Sequence, residues 1–293
     1  MATNKIIESE DKLRVINIGL DGFAKDMRRQ DVSVVDVDWY PPADGDPNLN
    51  EILKTINFDQ DLLKRINNAN KMAIERVKNA NPQVVDIVPA KEALELPKHT
   101  ILHSGPPIEW DRMCGPQKRA VLGAIQFEGW ADDEDGAIKL VKKEKITLLP
   151  CHQYNAVGPM TGIISPSMPV LVTENEPYGN YGFSTFNEGR GNTLWFGICD
   201  MGTLDRLKWI RDTMGPAMKS ALKIHGPINV FDIVEQGLQM GDECHARHAA
   251  STALLIKQLI PSMLDAGVPG KTVSSIIRFM NENSHFFLNF TLS

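Results

Sequence analysis

Side chains that bind anions or transfer protons are concentrated in four short segments of the sequence. These segments are HSGPP, CHQYNAVGP, NEGRG and GDECHARH, which begin at residues 103, 151, 187 and 241. Imidazole groups transfer protons near neutral pH, whereas arginine side chains and unpaired backbone N–H groups bind carboxylates and phosphates. The combination predicts a site for a small anionic substrate.

The first segment, HSGPP, follows the apolar run TILH and precedes a helix predicted to begin at Pro116. A loop that leads into a helix presents unpaired N–H groups at the positive end of the helix dipole. We therefore predict that His103, Ser104 and Gly105 bind a phosphate or carboxylate, with Lys118 adding charge from the first helical turn. The alternative is a rigid turn with a surface lysine.

The second segment belongs to the stretch CHQYNAVGPMTGIISPSMPV, which lies between two predicted strands and is too long for a hairpin turn. Adjacent strand residues point to opposite faces, so Cys151 and His152 cannot form a nucleophile–base pair. Cysteine is the more natural core residue, which makes His152 the predicted catalytic residue. Asn155 is predicted to bind substrate, and Gly158 allows a close approach of backbone amides. The alternative is a purely structural loop.

The third segment, NEGRG, places an arginine between two glycines. Glycine frees the backbone around a planar guanidinium group that suits a carboxylate or phosphate. We predict that Asn187, Glu188 and Arg190 bind substrate. A hairpin turn with an exposed arginine is the alternative.

The fourth segment, GDECHARHAAS, resembles the start of a helix, with Asp242 and Glu243 where the helix dipole favours acids. His245 is three residues from both Asp242 and His248, and Glu243 and Arg247 have the spacing of a helical ion pair. This spacing predicts a polar cluster in which His245 is catalytic and Asp242, Glu243 and Arg247 bind substrate. The H-E-x-x-H pattern is absent, so no metal is predicted. A capped helix and a zinc site are the alternatives.

The surrounding elements predict an α/β fold with a small N-terminal βαβ unit, a central mixed sheet with site-bearing loops and a C-terminal helical layer. LRVINIGL and VSVVDVDW are the strands of the βαβ unit, and their glycines read G-L-D-G, which favours an ordinary unit over a nucleotide site. NTLWFGI is predicted to be a strand. The predicted divisions are 1–46, a helical connector 47–82, a mixed core 83–202 and a helical region 203–293.

Composition narrows the class of protein. Apolar residues make up 42% of the 293 residues and charged residues 23%, as in soluble globular proteins. The net charge of −6 argues against nucleic acid and anionic membranes as partners. Four cysteines without a C-x-x-C pair predict neither disulfides nor a zinc site, and no cofactor is predicted. The absence of an apolar run of roughly 20 residues or a signal sequence predicts a cytoplasmic location.

The last predicted helix, NENSHFFLNFTLS, is unusually apolar and has no glycine or basic residue at its end. We expect that the fold continues beyond this helix or that another chain covers it.

Several of these segments together resemble a known family. HSGPPIEWDRMCGPQKRAVLGA, PCHQYNAVGPMTGIISPSMPVLVTEN, FNEGRG and QMGDECHARHAAS resemble, in the same order, motifs of the bacterial YlbE-like (AllG-like) family. That family was catalogued as a domain of unknown function, and its AllG member is described as a subunit of oxamate carbamoyltransferase. The resemblance runs from about residue 70 to the end. In one departure, His248 stands where the family motif has asparagine; in another, family members continue beyond the FFLN run.

The resemblance implies a subunit of a carbamoyltransferase that moves a carbamoyl group between carbamoyl phosphate and oxamate, giving oxalurate and phosphate, in allantoin or purine catabolism. It implies anion binding by Arg190 and Arg247, and a phosphate or oxyanion cradle near Gly105 and Gly158. His152 or His245 would donate to the carbamoyl oxygen or move a proton.

The first 46 residues resemble a segment associated with this family and with its FdrA-like partner, which implies a homo- or hetero-oligomer. Two alternatives remain open. One is a metal-dependent amidohydrolase that uses Asp242, His245 and His248. The other is a non-catalytic scaffold subunit of an FdrA-like complex.

Overall fold

The computed structural model describes residues 13–186 and 192–293. The chain divides into two compact units, 1–77 and 78–293. Both contain helices and sheet, so the predicted α/β class is confirmed. The finer division into four parts remains a prediction.

The first unit begins with the predicted βαβ arrangement. Strands β1 (Arg14–Ile18) and β2 (Ser33–Val37) pair in parallel and are joined by α1 (Asp21–Arg29). Two helices follow, α2 (Pro47–Phe58) and α3 (Gln60–Lys78). The Asp46 carboxylate caps α2 by accepting from the N–H groups of Asn48 (2.8 Å) and Leu49 (3.1 Å).

The first unit has little core of its own. Within residues 13–77, Asn17 and Ala24 alone are buried. Large apolar side chains on β1, α1 and β2 stay exposed, among them Ile16 (68%), Phe23 (64%) and Val35 (61%). Parallel strands are normally covered on both faces, so this unit leaves much apolar surface uncovered.

The second unit contains a five-stranded sheet in the order β10-β3-β8-β9-β6. Neighbouring strands are antiparallel except β9 and β6, which are parallel. The strands are β3 (Pro82–Pro89), β6 (Ala156–Val157), β8 (Pro169–Asn175), β9 (Asn180–Thr185) and β10 (Ile228–Asn229).

A smaller three-stranded sheet has the order β5-β4-β7. Strand β4 (Thr100–His103) pairs in parallel with β5 (Thr147–Pro150) and antiparallel with β7 (Ile163–Ile164). The connection from β4 to β5 contains α5 (Gly115–Phe127), which begins within one residue of the predicted start at Pro116, and α6 (Glu134–Lys142). Short α4 (Ala90–Ala93) follows β3.

The stretch from 151 to 168 passes from one sheet to the other. After β5, a short 3-10 turn at Cys151–Tyr154 leads into β6, which joins the five-stranded sheet through β9. The chain then returns to the three-stranded sheet as β7, beside β4. The unusual length therefore has a structural cause, because the segment supplies one short strand to each sheet.

Helices form the C-terminal layer. They are α7 (Met201–Trp209), α8 (Gly215–His225), α9 (Val230–Gln239), α10 (Ala249–Asp265), α11 (Gly270–Glu282) and α12 (Leu288–Leu292). The apolar residues Phe286, Phe287 and Phe290 are buried in a cluster with β3, α8 and α10 residues. The chain itself therefore covers these aromatic side chains.

Two element predictions are wrong. NTLWFGI forms a 3-10 turn at Leu194–Phe196 rather than a strand, and Gly197 ends it with φ +74°. Residues 241–248 are a loop, because α9 ends at Gln239 and α10 begins at Ala249.

Candidate functional site

His103, Ser104 and Gly105 of the first segment and His152 of the second lie at or just after the carboxyl ends of β4 and β5, whereas Asn155 and Gly158 flank β6 in the other sheet. His103 ends β4 and lies opposite Pro150 on β5 and Ile163 on β7. Ser104 and Gly105 therefore leave the sheet beside the turn that carries His152. Ligands of α/β proteins bind preferentially where parallel strands end, which makes this edge the candidate site.

His103 is fully buried. Its Nδ1 lies 3.0 Å from the Ser104 carbonyl oxygen. Because a carbonyl can only accept, Nδ1 carries the hydrogen of this bond. Nε2 has no hydrogen-bond partner among residues 13–186 and 192–293. The ring thus has one unpaired, buried nitrogen at the end of β4.

Ser104 is held by hydrogen bonds to the Gly162 backbone and the Gln117 side chain. Its N–H (3.0 Å) and hydroxyl (3.3 Å) both donate to the Gly162 carbonyl, and its own carbonyl accepts from the Gln117 side-chain amide (3.0 Å). The Gly162 N–H donates to the Pro159 carbonyl at 2.7 Å. The Gly162 amide is therefore not available to a ligand, and Ser104 fixes the loop rather than presenting a free hydroxyl.

Lys118 is engaged within the same region. Its ammonium group donates to the Asp111 carbonyl at 3.0 Å and lies 5.6 Å from the centre of the Trp110 ring. The lysine thereby ties the 108–113 segment to α5, which uses at least part of its hydrogen-bonding capacity.

The turn at 193–197 packs on the start of α5. The Thr161 hydroxyl donates to the Trp195 carbonyl, and Arg119 Nε donates to the Gly197 carbonyl at 2.9 Å. A Cβ atom on Gly197 would lie 2.7 Å from Pro116 Cα. The bond from Thr161 therefore places the turn beside the 159–162 loop, and the close approach of Gly197 to Pro116 places it against the start of α5.

Cys151 and His152 separate as predicted, although they lie on a 3-10 turn and not on a strand. Burial raises the pKa of the Cys151 thiol to about 12, which excludes it as a nucleophile at neutral pH. His152 is exposed. Asn155 adopts φ +52°, and its carbonyl accepts from the Phe183 N–H at 3.0 Å, which starts the pairing of β6 with β9.

A cavity of about 470 Å³ opens beside this edge. One wall consists of Pro107 to Glu109 and Arg112, from the segment that follows β4 in the chain. The other consists of Leu148 to Pro150 and Gln153, from β5 and the turn after it. Glu109, Arg112 and Gln153 were not predicted as site residues. Their only signal in the sequence is their position directly after the two strands, inside the segments IEWDRM and CHQYN.

The fourth segment forms a second group, in the loop between α9 and α10. The Asp242 carboxylate accepts from the N–H groups of Ala250 (3.1 Å) and Ser251 (2.7 Å) and from the Ser251 hydroxyl (2.9 Å). Burial raises the pKa of Asp242, but these donors outweigh it and the pKa lies below its usual value. Asp242 therefore caps α10.

The Glu243 carboxylate is held by its own loop. It accepts from the N–H groups of His245 (3.3 Å), Ala246 and Arg247. These bonds, that from Ala246 foremost, lower the pKa of Glu243. The Arg247 side chain donates to the Gly241 carbonyl at 3.3 Å and not to Glu243, so the predicted helical ion pair does not form. His245 and Arg247 are exposed.

His248 lies beneath this loop with a side chain that is 1% exposed. Burial lowers its pKa. The Cys244 backbone and the Asp242 carboxylate act against that shift, but neither ring nitrogen makes a hydrogen bond of normal geometry in the described part of the chain. Its ring centre is 6.4 Å from that of Phe287, so the imidazole packs partly as an aromatic core residue.

The two groups remain separate. No hydrogen bond or ion pair between residues of the described ranges joins the β4–β5 edge to the 241–248 loop. Asn187, Glu188 and Arg190 lie outside the described residues. Within 13–186 and 192–293, no three His, Cys, Asp or Glu side chains are grouped as metal ligands, so the donors proposed for an amidohydrolase gain no support.

Comparison with known proteins identifies the family. The family model described as oxamate carbamoyltransferase subunit AllG matches residues 146–293. The chain belongs to the AllG family. Two relatives come from Escherichia coli K12. The uncharacterized protein YahG is 39% identical over 94% of this chain and 58% of its own length. The oxamate carbamoyltransferase subunit AllG is 39% identical over 77% of this chain and 54% of its own length.

A solved structure shows the same fold. A conserved protein of unknown function from Enterococcus faecalis V583 matches with a TM-score of 0.74 and 37% identity, over 77% of this chain and 54% of that protein. The chain thus spans little more than half the length of the relatives it matches. In the described part of the chain, no helix is long and apolar enough to cross a membrane.

Proposed function

We propose that this chain is a subunit of a cytoplasmic carbamoyl-transferring enzyme. It would act on oxamate or oxalurate with carbamoyl phosphate or phosphate, in the catabolism of allantoin or related purines. Family membership carries the proposal, because the matching family model is described as an oxamate carbamoyltransferase subunit. The cavity lined by β5 and by the 107–112 segment supports it, since ligands commonly bind near the carboxyl ends of parallel strands and Gln153, the neighbour of His152, is one of the lining residues.

Carbamoyl transfer to oxamate forms a bond between the oxamate amide nitrogen and the carbamoyl carbon. The bond from that carbon to the phosphate oxygen breaks, phosphate keeps the electron pair, and the nitrogen loses a proton. Negative charge grows on the carbamoyl oxygen and on the phosphate, so both need hydrogen-bond donors. We assign the proton transfer, or donation to the carbamoyl oxygen, to His152, and the donor role to backbone amides near Gly105 and Gly158.

Gly105 suits this role on conformational grounds. It adopts φ +91°, which side-chain-bearing residues rarely do, and a Cβ there would meet no atom within 4 Å. Its surroundings therefore leave room for a ligand against the backbone. Gly158 is closer to its neighbours, because a Cβ would lie 3.6 Å from the Gly162 carbonyl carbon.

The 241–248 loop is proposed as a second anion-binding element. His245 and Arg247 are exposed there, and three N–H groups already hold a carboxylate, that of Glu243. A substrate anion that uses those donors must displace Glu243. Asp242 supports the loop through α10 instead of contacting substrate.

The test is reconstitution with a purified FdrA-like chain, the partner that we propose, followed by an assay of oxalurate formation from carbamoyl phosphate and oxamate. We expect activity that needs both chains. His152→Ala should lower kcat about 100-fold or more, as loss of a general acid or base does. The control is His225→Ala, an exposed histidine at the end of α8. Equal activity of the two variants would remove His152 from the mechanism.

A second candidate function is a non-catalytic scaffold subunit. The apolar surface of the first unit favours it, because residues such as Phe23 and Trp39 are exposed and would be covered in a complex. If the chain is a scaffold, the complex should not assemble without it. The His152→Ala and His245→Ala variants should then keep full transferase activity.

A further inference from the structure

The cavity lined by β5 and the 107–112 segment has one cation, one acid and one amide among its lining side chains. The side chains of Glu109, Arg112 and Gln153 line it and are exposed. No side-chain hydrogen bond or ion pair of these three occurs within residues 13–186 and 192–293. In particular, Glu109 and Arg112 do not pair with each other, although only two residues separate them.

The segment that carries Glu109 and Arg112 is firmly anchored. Met113 is buried in the cluster around α5, and Ile108 and Trp110 pack against that cluster. The Arg112 and Met113 N–H groups close a 3-10 turn on the Glu109 and Trp110 carbonyls at 3.0 and 3.1 Å. Lys118 adds its bond to the Asp111 carbonyl at 3.0 Å. The backbone of this segment is thus held against α5 and its cluster, while the side chains of Glu109 and Arg112 line the cavity.

We propose that this cavity is the subsite for a small anion that also carries a primary amide. Arg112 binds the anionic group, because its guanidinium fork matches a carboxylate or phosphate. Glu109 accepts an N–H of the amide, and Gln153 completes the recognition with its own amide from the turn after β5. Oxamate, oxalurate and carbamoyl phosphate share this chemistry, so the inference rests on the proposed function for its choice of ligand.

Glu109 supplies the selectivity. A dianion such as oxalate offers a second carboxylate in place of the amide, and that carboxylate would face the Glu109 carboxylate. Like charges at contact distance repel, and neither group has an N–H to offer the other. The subsite therefore distinguishes oxamate from oxalate, which differ only by amide against carboxylate.

The experiment is calorimetric titration of the 293-residue chain with oxamate, oxalate and inorganic phosphate. Wild-type protein should bind oxamate more tightly than oxalate. Arg112→Ala should weaken oxamate binding about tenfold or more, as the loss of a charged hydrogen-bond partner does, and Arg112→Lys should recover part of it. Glu109→Gln, which is nearly isosteric, should strengthen oxalate binding and narrow the preference for oxamate.

Arg278→Ala is the matched control, because Arg278 is an exposed arginine that lines a different cavity, between α10 and α11. It changes the net charge equally and should leave oxamate binding unchanged. The assignment is overturned if Arg278→Ala and Arg112→Ala weaken binding alike, if Glu109→Gln leaves the oxamate preference intact, or if wild-type protein binds none of the three probes.

The outcome for the subsite is separable from that for the proposed function. Arg112-dependent oxamate binding in a reconstituted complex that transfers no carbamoyl group would sustain the subsite and end the transferase proposal. Carbamoyl transfer that is unaffected by Arg112→Ala would sustain the transferase proposal and end the subsite proposal.

Discussion

Burial decides which of two neighbouring residues can react at the carboxyl edge of β5. The Cys151 thiol is 3% exposed and has a pKa raised from 9.0 to about 12, whereas Cys114 is exposed. A thiol-specific reagent at pH 8 should modify Cys114 rapidly and leave Cys151 unmodified until the protein unfolds. Mass spectrometry of the labelled peptides measures both sites. Labelling of Cys151 at the rate of Cys114 would show that the thiol is accessible.

The same raised pKa predicts a stability change with pH. Above pH 9 an unfolded cysteine loses its proton, while folded Cys151 keeps it up to about pH 12. The unfolded state therefore binds fewer protons, and the free energy of unfolding contributed by this group falls as pH rises through that window. Cys151→Ala should flatten the slope of the urea midpoint between pH 9 and 10.5, and Cys114→Ala should not.

His248 predicts the opposite dependence. Its pKa is lowered by burial from the usual 6.5, so it stays neutral in the folded state while the unfolded residue takes up a proton. The stability it contributes is present above pH 6.5 and is lost as pH falls toward its folded pKa. The Cys244 backbone opposes this shift most, followed by Asp242 and Glu243, and His245 adds to it.

His248→Asn removes the titrating group and keeps a polar side chain. We expect the variant to lose less stability than wild type between pH 7 and pH 5 in urea unfolding. His245→Asn, on the exposed side of the loop, is the control. If His248→Asn loses stability between pH 7 and pH 5 as steeply as wild type, other groups dominate the loss of stability at acid pH.

Residue types were easier to predict than residue availability. The sequence predicted Cys151 as the core residue of the pair, and Cys151 is buried whereas His152 is exposed. It could not reveal that Lys118 is engaged with a carbonyl or that the Gly162 amide closes a turn, because both partners are backbone atoms that carry no sequence signal. Arg112 was not predicted as a site residue. Whether its side chain is available depends on the direction in which it leaves an anchored turn, and the sequence does not show that direction.

At the scale of elements, the approach of the 193–197 turn to α5 depends on one glycine. Gly197 and Gly179 both adopt a left-handed backbone conformation, with φ +74° and +63°. Of these two glycines, only Gly197 is crowded, because a Cβ atom added there would lie 2.7 Å from Pro116 Cα. Gly179→Ala should cost about 1–2 kcal/mol from backbone strain. Gly197→Ala should cost about 1–3 kcal/mol more from overpacking. Urea unfolding of both variants measures the difference, and equal losses would mean that the turn moves away freely.

A carboxylate joins α5 to the turn before β8. Glu128 accepts from the Ser165 hydroxyl (2.6 Å), the Ser167 N–H (2.7 Å) and the Ser167 hydroxyl (2.6 Å). Glu128→Ala should lower the free energy of unfolding by about 1.5–3 kcal/mol, the range for hydrogen bonds to a charged group. Glu235→Ala, at an exposed position of α9, is the control and should change it by less than about 0.5 kcal/mol.

Elements with clear periodicity were predicted, and those set by single contacts were not. α5 begins within one residue of the predicted start, with Pro116 in its first turn. NTLWFGI has the composition of a strand but turns at Gly197, and GDECHARH has helical spacing but loops because Asp242 and Glu243 bind backbone N–H groups. Local side-chain bonds of this kind compete with helix formation.

At the scale of the whole molecule, the two units differ in how much core each contains. Three hydrophobic clusters lie in 78–293, whereas Asn17 and Ala24 are the buried residues within 13–77. Stability follows buried apolar surface, so the first unit should open at far lower free energy than the second. The sequence predicted its βαβ arrangement, but not this lack of burial, because periodicity identifies an apolar face without showing what covers it.

Hydrogen exchange measures this difference peptide by peptide. In the isolated chain, amides of β1, α1 and β2 should exchange within seconds to minutes, whereas those of β3, β8 and α5 should remain protected for hours, because they open only with the larger cores. Phe23→Ser should leave the exchange of β3, β8 and α5 unchanged, and Leu171→Ala, which removes a fully buried side chain, should accelerate it. Equal protection of β1 and β3 would mean that the first unit is as stable as the second, despite its exposed apolar residues.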